Sequence, residues 1–324
     1  MVIVNWNGKH LLERCLPSVL GQTFDDYEVV VLDNGSTDGS VEWVEARCPT
    51  VRRILNDRNL GFAQGNNRAI QATRSEYVAT LNNDAEPAPD WLAELVRAIE
   101  SSRTVGMCAS KMVRVDDAEI MDSCGIKIDH AGIGWNRYGG ERERPEEVKA
   151  YEVLGPCAGA ALYRRAMLDQ VGLFDEDYFA CYEDIDLAWR AQRAGWRCLY
   201  VPSARVVHRH SSTLKEGSSL KGYLLGRNKV WTLIKNYPWP DWLICFPLIL
   251  GYDIAAWVYA LLCGDPSPLR GRLAALKSLA RPLKKRRDIQ AFGEPVPLCL
   301  PSNPLHMWRT QHEFRRRSAV EQVE

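Results

Sequence analysis

Short, mostly apolar runs alternate with amphipathic segments along the first hundred residues. Four runs predict strands, at Val2–Trp6, Tyr27–Leu32, Val51–Leu55 and Tyr77–Leu81. A helical pattern follows each run, at His10–Leu20, Thr37–Ala46, Phe62–Ala72 and Trp91–Ile99. This alternation predicts an α/β fold with a mostly parallel sheet, covered by helices on both faces and joined by right-handed crossovers.

The regular alternation fades after about Val105. Glycine-rich and strand-like pieces run to Ala161, and a helix is expected at Asp184–Ala194 with Gly195 as its stop. A pair of strands is expected next, at Arg197–Val201 and Ala204–His208. After Leu220 the chain becomes rich in Trp and Leu, with an apolar run and a basic tail. We therefore expect a domain at 1–215, with halves 1–104 and 105–215, and a helical extension at 216–324.

Composition excludes several classes of protein. The 324 residues carry 41 Lys and Arg against 41 Asp and Glu, so no overall charge favours nucleic acid. Ten cysteines without a C-x-x-C pair disfavour a zinc ribbon or thioredoxin motif. The start carries no secretory signal pattern, so reduced cytosolic thiols are expected. Because Met1–Val4 enters a strand with no lead-in, we expect a few residues upstream of this start.

Polar clusters follow all four predicted strands. They are Asn5–Gly8, Asp33–Ser36, Asn59–Gly61 and Asn82–Asp84. Such residues also form ordinary turns, and the prolines after Asp84 predict that the chain turns away there. In an open parallel sheet, however, ligands bind beyond the carboxyl ends of the strands, so four clusters at one edge predict a shared binding site.

Asp33 leaves an apolar strand directly, where its carboxylate can accept hydrogen bonds from a base or a ribose. The helix starts near Thr37 and Phe62 are expected to offer free N–H groups to phosphates. Neither the P-loop pattern nor a G-x-G-x-x-G after the first strand is present, which disfavours a plain kinase or a Rossmann dehydrogenase.

Asp84 is a candidate ligand for a divalent cation, which prefers carboxylate oxygens. Asn82 offers a weaker oxygen two residues earlier. Mn²⁺ also accepts an imidazole, and His208 stands at a predicted strand end. The alternative for His208 is a structural or surface histidine.

An acidic cluster, Tyr182–Arg190, lies in the second half. A helix N-terminus favours carboxylates, and Asp186 with Arg190 forms a simple i,i+4 pair. These reasons do not explain why aromatic residues, among them Phe174 and Tyr178, precede the acidic cluster. Carboxylates in apolar surroundings can have a raised pKa and serve as general bases.

Taken together in order, these motifs resemble family-2 glycosyltransferases with the GT-A fold, in a bacterial rhamnosyltransferase-like branch. The resemblance spans about Met1–Ser212, and it rests on the motifs VIVNWNG, VVVLDNGSTDGS, NLGFAQGNN, TLNNDAEP, FACYEDIDLAWRAQRAGW and ARVVHRHS. The segment GRNKVWTLIKNYP further along also resembles this family.

The resemblance implies a nucleotide-diphosphate-sugar donor, an acceptor hydroxyl, a divalent cation and inversion at the anomeric carbon. By position, Asn5 and Asp33 would contact the nucleotide, and Gly61 would let the backbone approach the donor phosphates. Asp84 matches the last carboxylate of the family's D-x-D motif and would hold the metal. Asn82 stands at the first acidic position of that motif, beside the donor diphosphate, and leaves a hard cation one charge fewer.

Two further roles come from the same resemblance. His208 matches a histidine that supplements the metal site in some relatives, and Asp184 matches the catalytic base. Arg227 is expected to contact the donor or an acceptor diphosphate, with a surface helix arginine as the alternative.

The apolar run Trp242–Cys263 is long enough to cross a bilayer. Pro247, Gly251 and Asp253 oppose a span, as does the basic run Lys284–Arg287, which a single span would place outside the cytoplasm. An interfacial or re-entrant helix pair would keep that run on anionic lipid head groups. A true span and a buried helical hairpin are the alternatives.

The sequence thus predicts a sugar transferase for cell-envelope polysaccharide at the cytoplasmic face of the membrane. Its expected donor is a dTDP- or UDP-sugar, its cation Mg²⁺ or Mn²⁺, and its acceptor a glycan or polyprenyl-diphosphate-linked glycan; rhamnose rests on family analogy alone. A nucleotidyltransferase, which would not need a base at Asp184, and a non-catalytic nucleotide-sugar-binding protein are the alternatives.

Overall fold

The computed structural model describes residues 1–143, 149–209, 218–293 and 296. The boundary expected at residue 215, His210 and the basic tail beyond residue 296 lie outside the described residues. The described chain forms two units. The first comprises residues 1–127, 135–143, 149–209 and 296, and the second comprises 128–134 and 218–293.

The predicted strand–helix alternation opens the first unit. Its elements are β1 (Val2–Asn5), α1 (Lys9–Leu20), β2 (Val30–Asp33), α2 (Ser40–Arg47), β3 (Arg52–Leu55), α3 (Gly61–Gln71), β4 (Tyr77–Asn82), β5 (Ala85–Pro87) and α4 (Trp91–Glu100).

The irregular second half supplies further strands and two helices. They are β6 (Val105–Arg114), β7 (Met121–Ser123), β8 (Ile126–Ile128), β9 (Gly134–Asn136), β10 (Tyr151–Val153), β11 (Ala160–Arg164), α5 (Arg165–Val171), α6 (Glu183–Arg193) and β12 (Arg197–His208). A 3₁₀ turn at Glu176–Tyr178 precedes α6.

Ten strands form one mixed sheet, ordered β10-β12-β6-β11-β4-β1-β2-β3, with β5 on β12 and β7 on β6. The strands β4, β1, β2 and β3 run parallel, as the alternation requires. Strand β11 joins this part to β6 through antiparallel pairs on both of its sides. Strands β8 and β9 form a separate two-stranded sheet.

Two expectations about strands were wrong. The pair of strands expected on either side of Pro202 is one strand, β12, whose register against β6 shifts between Val201 and Arg205. That shift accommodates Pro202, which has no N–H for the ladder. The residues after Asp84, expected as a proline-rich turn, form β5 and pair antiparallel with the end of β12.

The helix α4 anchors the core of the first unit. Trp91, Leu95 and Ile99 recur at helical spacing and are fully buried. The indole Nε1 of Trp91 donates to Ser110 Oγ at 2.8 Å, so the buried N–H has a partner. This packing holds α4 against β6 and β12 of the sheet.

The second unit is helical. Its helices are α7 (Ser219–Asn236), α8 (Trp239–Leu262), α9 (Ser267–Lys277) and α10 (Ala280–Gln290). Glycines allow α7 and α9 to pack closely: a Cβ at Gly271 would lie 2.1 Å from the carbonyl oxygen of Tyr223. The segment 128–134 belongs to this unit, where Tyr237 Oη donates to the carbonyl of His130 at 3.0 Å.

Candidate active site

The registers of the parallel strands bring the polar clusters to one edge of the sheet. Asn5 pairs with Asp33, Asp33 with Leu55, and Val4 with Asn82. The carboxyl ends of β1, β2, β3 and β4 therefore lie side by side, at the edge where open α/β sheets bind ligands.

Asn5 is fully buried and its side chain is hydrogen-bonded at both ends. Its Nδ2 donates to Asp33 Oδ1 at 3.0 Å, and its Oδ1 accepts from Asn83 Nδ2 at 2.8 Å. The other Asp33 oxygen accepts from the backbone N–H of Ser36 at 2.7 Å. Asn5 thus orients Asp33 in this structure, while a nucleotide contact by either residue stays a prediction.

Other asparagines at the strand ends tie the loops to each other. Asn34 Nδ2 donates to the carbonyl of Gly61 at 3.1 Å, and Asn34 Oδ1 accepts from Asn56 Nδ2 at 2.8 Å. Asn59 Oδ1 accepts from the N–H of Gly61 at 2.9 Å. For these amides the ordinary turn interpretation is sufficient.

Gly61 occupies a position that requires glycine. Its φ of +80° lies in the left-handed region, and an added Cβ would lie 2.5 Å from the ring of Phe179. Phe179 also accepts from the N–H groups of Phe62 and Ala63 through its carbonyl, at 2.7 and 3.1 Å. The start of α3 is therefore capped by Phe179. The role of Gly61 beside donor phosphates stays a prediction.

The backbone N–H groups of Thr37 and Phe62 themselves are not free in this structure. The Thr37 N–H donates to Asn7 Oδ1 at 2.8 Å, and α2 begins at Ser40. The Phe62 N–H is bonded to Phe179. Local side-chain and carbonyl acceptors compete with a ligand for such groups.

Asp84 and His208 are brought together, although 124 residues separate them. The pairing of β5 with β12 sets His208 opposite Ala85, next to Asp84. His208 Nε2 lies 3.1 Å from Asp84 Oδ1 and 3.4 Å from Asn82 Nδ2. Both Asp84 and His208 are buried.

Asp122, on β7, was missed by sequence reasoning. Its Oδ2 lies 2.7 Å from His208 Nδ1, and its side chain is buried. Burial alone would lower the pKa of His208, but the carboxylates of Asp84 and Asp122 raise that pKa to about 10. The one sequence signal was an acid next to the apolar pair Ile120–Met121, in a region without clear periodicity.

The residues at this point fit a divalent cation once His208 gives up the proton that its raised pKa retains, because histidine binds a metal as the neutral imidazole. One carboxylate oxygen and one imidazole nitrogen face each other, and the second ring nitrogen contacts a carboxylate, as is usual for metal-binding histidines. No group of three or more His, Cys, Asp or Glu suited to a metal exists within the described part of the chain. The remaining positions would thus be filled by donor phosphate oxygens and water, as is common for Mg²⁺.

Asp184 stands at the start of α6 and is partly exposed. Its Oδ1 accepts from the N–H of Ile185 at 2.8 Å, and its Oδ2 makes a long contact, 3.5 Å, with the N–H of Ala158. The dense protein around it raises its pKa above the ordinary aspartate value. Gly159, which follows Ala158, accepts through its carbonyl from the N–H of Asn82 at 2.8 Å. Segment 158–159 therefore links Asp184 to the end of β4.

The neighbouring acids differ from Asp184. Glu183 is buried, and its Oε2 finds no hydrogen-bond partner among the described residues. Burial, and then the charge of Asp184, raise the pKa of Glu183 well above its ordinary value. Asp186 is fully buried and accepts from Arg190 Nε at 3.0 Å, as its spacing predicted. Arg190 also donates to the carbonyl of Leu173 at 2.7 Å, so the Asp186–Arg190 pair fixes the segment that leads into α6.

The backbone before α6 is strained. Phe179, Cys181 and Tyr182 have φ values of +67°, +67° and +72°. Side chains with a Cβ rarely adopt this region, and such outliers cluster at functional sites.

Arg227 lies on α7 in the second unit. Its guanidinium stacks over the ring of Trp231 at 4.5 Å, and its Nε donates to Asn228 Oδ1 at 2.9 Å. Its contact with a diphosphate stays a prediction.

Known families match most of the chain. Residues 1–172 match the family described as Glycosyl transferase family 2, and residues 146–300 match the one described as Glycosyl transferase family group 2. An N-acetylglucosaminyl-diphospho-decaprenol L-rhamnosyltransferase of Mycobacterium tuberculosis is 31% identical over 250 residues, covering 69% of this chain and 80% of that protein. A pre-mycofactocin glycosyltransferase of the same organism is 28% identical over 229 residues, 70% of this chain and 46% of that protein.

Solved structures show the fold. The structure of GalNAc-T7 with UDP, GalNAc and Mn²⁺ matches with a TM-score of 0.59 at 22% identity, over 72% of this chain and 47% of that one. The mannosyltransferase PcManGT from Pyrobaculum calidifontis, with GDP-Man and Mn²⁺, matches with a TM-score of 0.54 at 20% identity, over 99% and 86%. The predicted GT-A fold is thereby confirmed. The chain belongs to glycosyltransferase family 2, in its rhamnosyltransferase-like branch.

Proposed function

We propose that this glycosyltransferase inverts the anomeric carbon as it moves a sugar from a nucleotide-diphosphate donor to a hydroxyl of a glycan or lipid-linked glycan. One observation carries the proposal: the Asp84–His208 pair and Asp184 flank the same strand end, that of β4. A group that can hold a diphosphate with its cation is thus linked to a candidate base. The likeness to a rhamnosyltransferase with a decaprenol-linked acceptor supports rhamnose and cell-envelope synthesis.

The donor's nucleotide is assigned to Asp33, at the end of β2. The amide of Asn5 and the N–H of Ser36 each bond one oxygen of that carboxylate, which holds it ready to accept from a ribose or base. Gly61 and Asn82 are assigned to the diphosphate side. The donor base is assigned as thymine or uracil on family grounds.

Asp84 and His208 are assigned to a divalent cation, Mn²⁺ or Mg²⁺, which when bound neutralises charge on the departing diphosphate. The imidazole favours Mn²⁺. Asp122 holds the other ring nitrogen of His208 and thereby sets the direction of Nε2. Asn82 carries no charge, so the donor diphosphate supplies much of the negative charge that a bound cation needs.

Asp184 is assigned as the general base. It takes the proton from the acceptor hydroxyl while that oxygen attacks the anomeric carbon from the face opposite the diphosphate. Base catalysis of this kind contributes about 10²–10⁴ in rate. A pKa raised by burial strengthens the carboxylate as a base, provided that the pH stays above it.

The domain assignment follows these roles. Residues 1–104 form the donor half, 105–215 the acceptor and catalytic half, and 216–324 a membrane-associating extension in which Arg227 contacts a diphosphate. Of the described helices, α8 is the one long and apolar enough to cross a membrane. A lipid-linked acceptor places the enzyme at the cytoplasmic face of the membrane.

A donor screen tests the proposal. The purified full chain is incubated with dTDP-, UDP- and GDP-sugars carrying a labelled sugar, with Mn²⁺, Mg²⁺ or EDTA, and with a bacterial lipid extract as acceptor. We expect label in the lipid phase with a dTDP- or UDP-sugar, dependent on the cation. Absence of both transfer and hydrolysis with every donor would refute the proposal. Release of labelled sugar 1-phosphate, which is left when the nucleotidyl group of the donor is transferred, would indicate a nucleotidyltransferase instead.

A further inference from the structure

Helix α8 exposes an apolar stripe. Leu243, Leu250, Ile254, Val258 and Leu261 follow one another at spacings of 7, 4, 4 and 3, which places them on one side of a helix, and all five are exposed. In the most apolar 18-residue window of α8 only 17% of the residues are buried. A soluble core helix would be mostly buried, so this stripe requires another partner.

The flank of α8 beside this stripe is tied to its neighbours by charge. Asp253 Oδ1 accepts from Lys229 Nζ, on α7, at 2.7 Å and from Arg272 Nη2, on α9, at 2.8 Å. The three side chains are 14%, 2% and 8% exposed. Cys245 and Ile249 share this side of the helix and are buried. Asp253 interrupts the apolar run of the sequence, and with Lys229 and Arg272 it forms a buried ionic clamp that fixes the orientation of α8.

The position of this clamp opposes a span. The 24 residues of α8 extend about 36 Å, and Asp253 is the fifteenth of them, so a span would hold it well inside the hydrocarbon. Lys229 and Arg272 would be drawn in with it. The 11 residues of α9 reach only about 17 Å, too short to cross. A span would thus place the charged side chains of Asp253, Lys229 and Arg272, and the unpaired backbone groups at the ends of α9, inside the hydrocarbon layer.

The adjoining helices supply charge complementary to lipid. Together α9 and α10 carry eight basic residues and one acid, Asp288. Arg270, Lys277, Lys284 and Arg287 are among the exposed basic residues. Such a surface favours anionic head groups.

We propose that α8 lies in the plane of an anionic bilayer surface, with its apolar stripe in the lipid and its Asp253 side on α7 and α9. In-plane helices of this kind sink about 5–10 Å into the head-group region. The inference rests on the membrane location proposed above and not on the sugar that is transferred. Both ends of α8 then stay on the cytoplasmic side.

Cys263 is a native probe at the end of α8, because it is the exposed thiol among the described cysteines. Cells of a bacterial host expressing the full chain are converted to intact spheroplasts or to inside-out vesicles, and a membrane-impermeant maleimide is added. Cys263→Ser gives the background, and Ser219→Cys in that background reports the start of α7. Detergent-opened membranes give full reactivity.

We expect no labelling of either thiol in spheroplasts, and labelling in inside-out vesicles or only after detergent. Labelling of Cys263 in spheroplasts, with the thiol at position 219 reached only from the inside, would establish a span and overturn the inference.

Flotation tests the lipid partner. The purified chain is mixed with vesicles of phosphatidylcholine alone or with a quarter of phosphatidylglycerol. We expect tighter binding to the anionic vesicles, weakened about fivefold by Lys284→Gln and strengthened by the matched control Asp288→Asn, since a cation near such a surface contributes about 1 kcal/mol. Failure to float with either vesicle would overturn the inference. Sugar transfer measured in detergent on the same protein keeps that outcome separate from failure of the proposed function.

Discussion

Asp184 and Asp186 lie two residues apart on α6, yet the structure predicts opposite consequences for Asp184→Asn and Asp186→Asn. Asp184 is partly exposed and bonded to backbone N–H groups. Asp186 is fully buried against Arg190, whose side chain is 6% exposed. One substitution therefore removes a base, and the other removes the counter-charge of a buried cation.

For Asp184→Asn we expect turnover to fall about 10²–10⁴-fold, which corresponds to about 2.7–5.4 kcal/mol in the barrier. Donor affinity should not change, because the base acts on the acceptor. The variant should be no less stable than the wild type at neutral pH. Burial raises the pKa of Asp184 because it disfavours the charged form, and an amide removes that penalty.

For Asp186→Asn we expect a loss near the lower end of the 3–5 kcal/mol that breaking a buried pair costs. Arg190 keeps the carbonyls of Val171, Gly172 and Leu173 as acceptors, which moderates the loss. About 3 kcal/mol corresponds to a fall in Tm of about 6–12 °C for a domain of this size. The protein that remains folded should turn over normally.

The assay measures three quantities on each variant: transfer of labelled sugar, nucleotide affinity by calorimetry, and Tm by circular dichroism. Wild-type turnover by Asp184→Asn would refute the assignment of the base. A loss of turnover by Asp186→Asn without a fall in Tm would show that the two roles have been exchanged.

Three further outcomes are expected. The acid limb of kcat/KM should lie above pH 3.8, because the raised pKa of Asp184 makes the base protonate, and activity fall, at a higher pH than for an ordinary aspartate. Glu183→Gln should leave this limb in place, since Glu183 is buried and is not the assigned base; a shift of the limb in this variant would contradict the assignment. His208→Ala should weaken Mn²⁺ binding by at least tenfold, measured by calorimetry in the presence of UDP, whose phosphates fill the positions that the protein leaves open. Unchanged affinity would indicate that the cation binds elsewhere. Asp253→Ala should lower the free energy of unfolding by about 3–5 kcal/mol in denaturant titration, because two buried cations lose their acceptor; a loss no larger than that of the control Asp241→Ala would refute the clamp.

Much of the site follows from local pattern. The apolar strands ended in polar clusters, and parallel pairing brings such ends to one edge whatever the loops do. The pairing of Asp186 with Arg190 also follows from helix geometry alone. The strand-end positions of Asp84 and His208, together with the family resemblance, indicated that the two side chains lie close together, as the structure shows.

Other features depend on long-range pairing, which a single sequence does not reveal. Asp122 reaches His208 only because β7 and β12 both pair with β6. The free N–H groups expected at α3 are taken by Phe179, a contact that joins residues more than a hundred positions apart. The two prolines after Asp84 argued for a turn, yet Pro87 fits a short strand at the margin of the sheet.

The proposed reaction is a single displacement at the anomeric carbon, with Asp184 as base opposite the departing diphosphate. The anomeric configuration of the product tests it most directly. The active donor from the screen is used with ¹³C-labelled sugar, and the one-bond C–H coupling at the anomeric carbon is measured by NMR in the donor and in the purified product. A single displacement predicts opposite anomeric configurations in donor and product. The same configuration in both would contradict it.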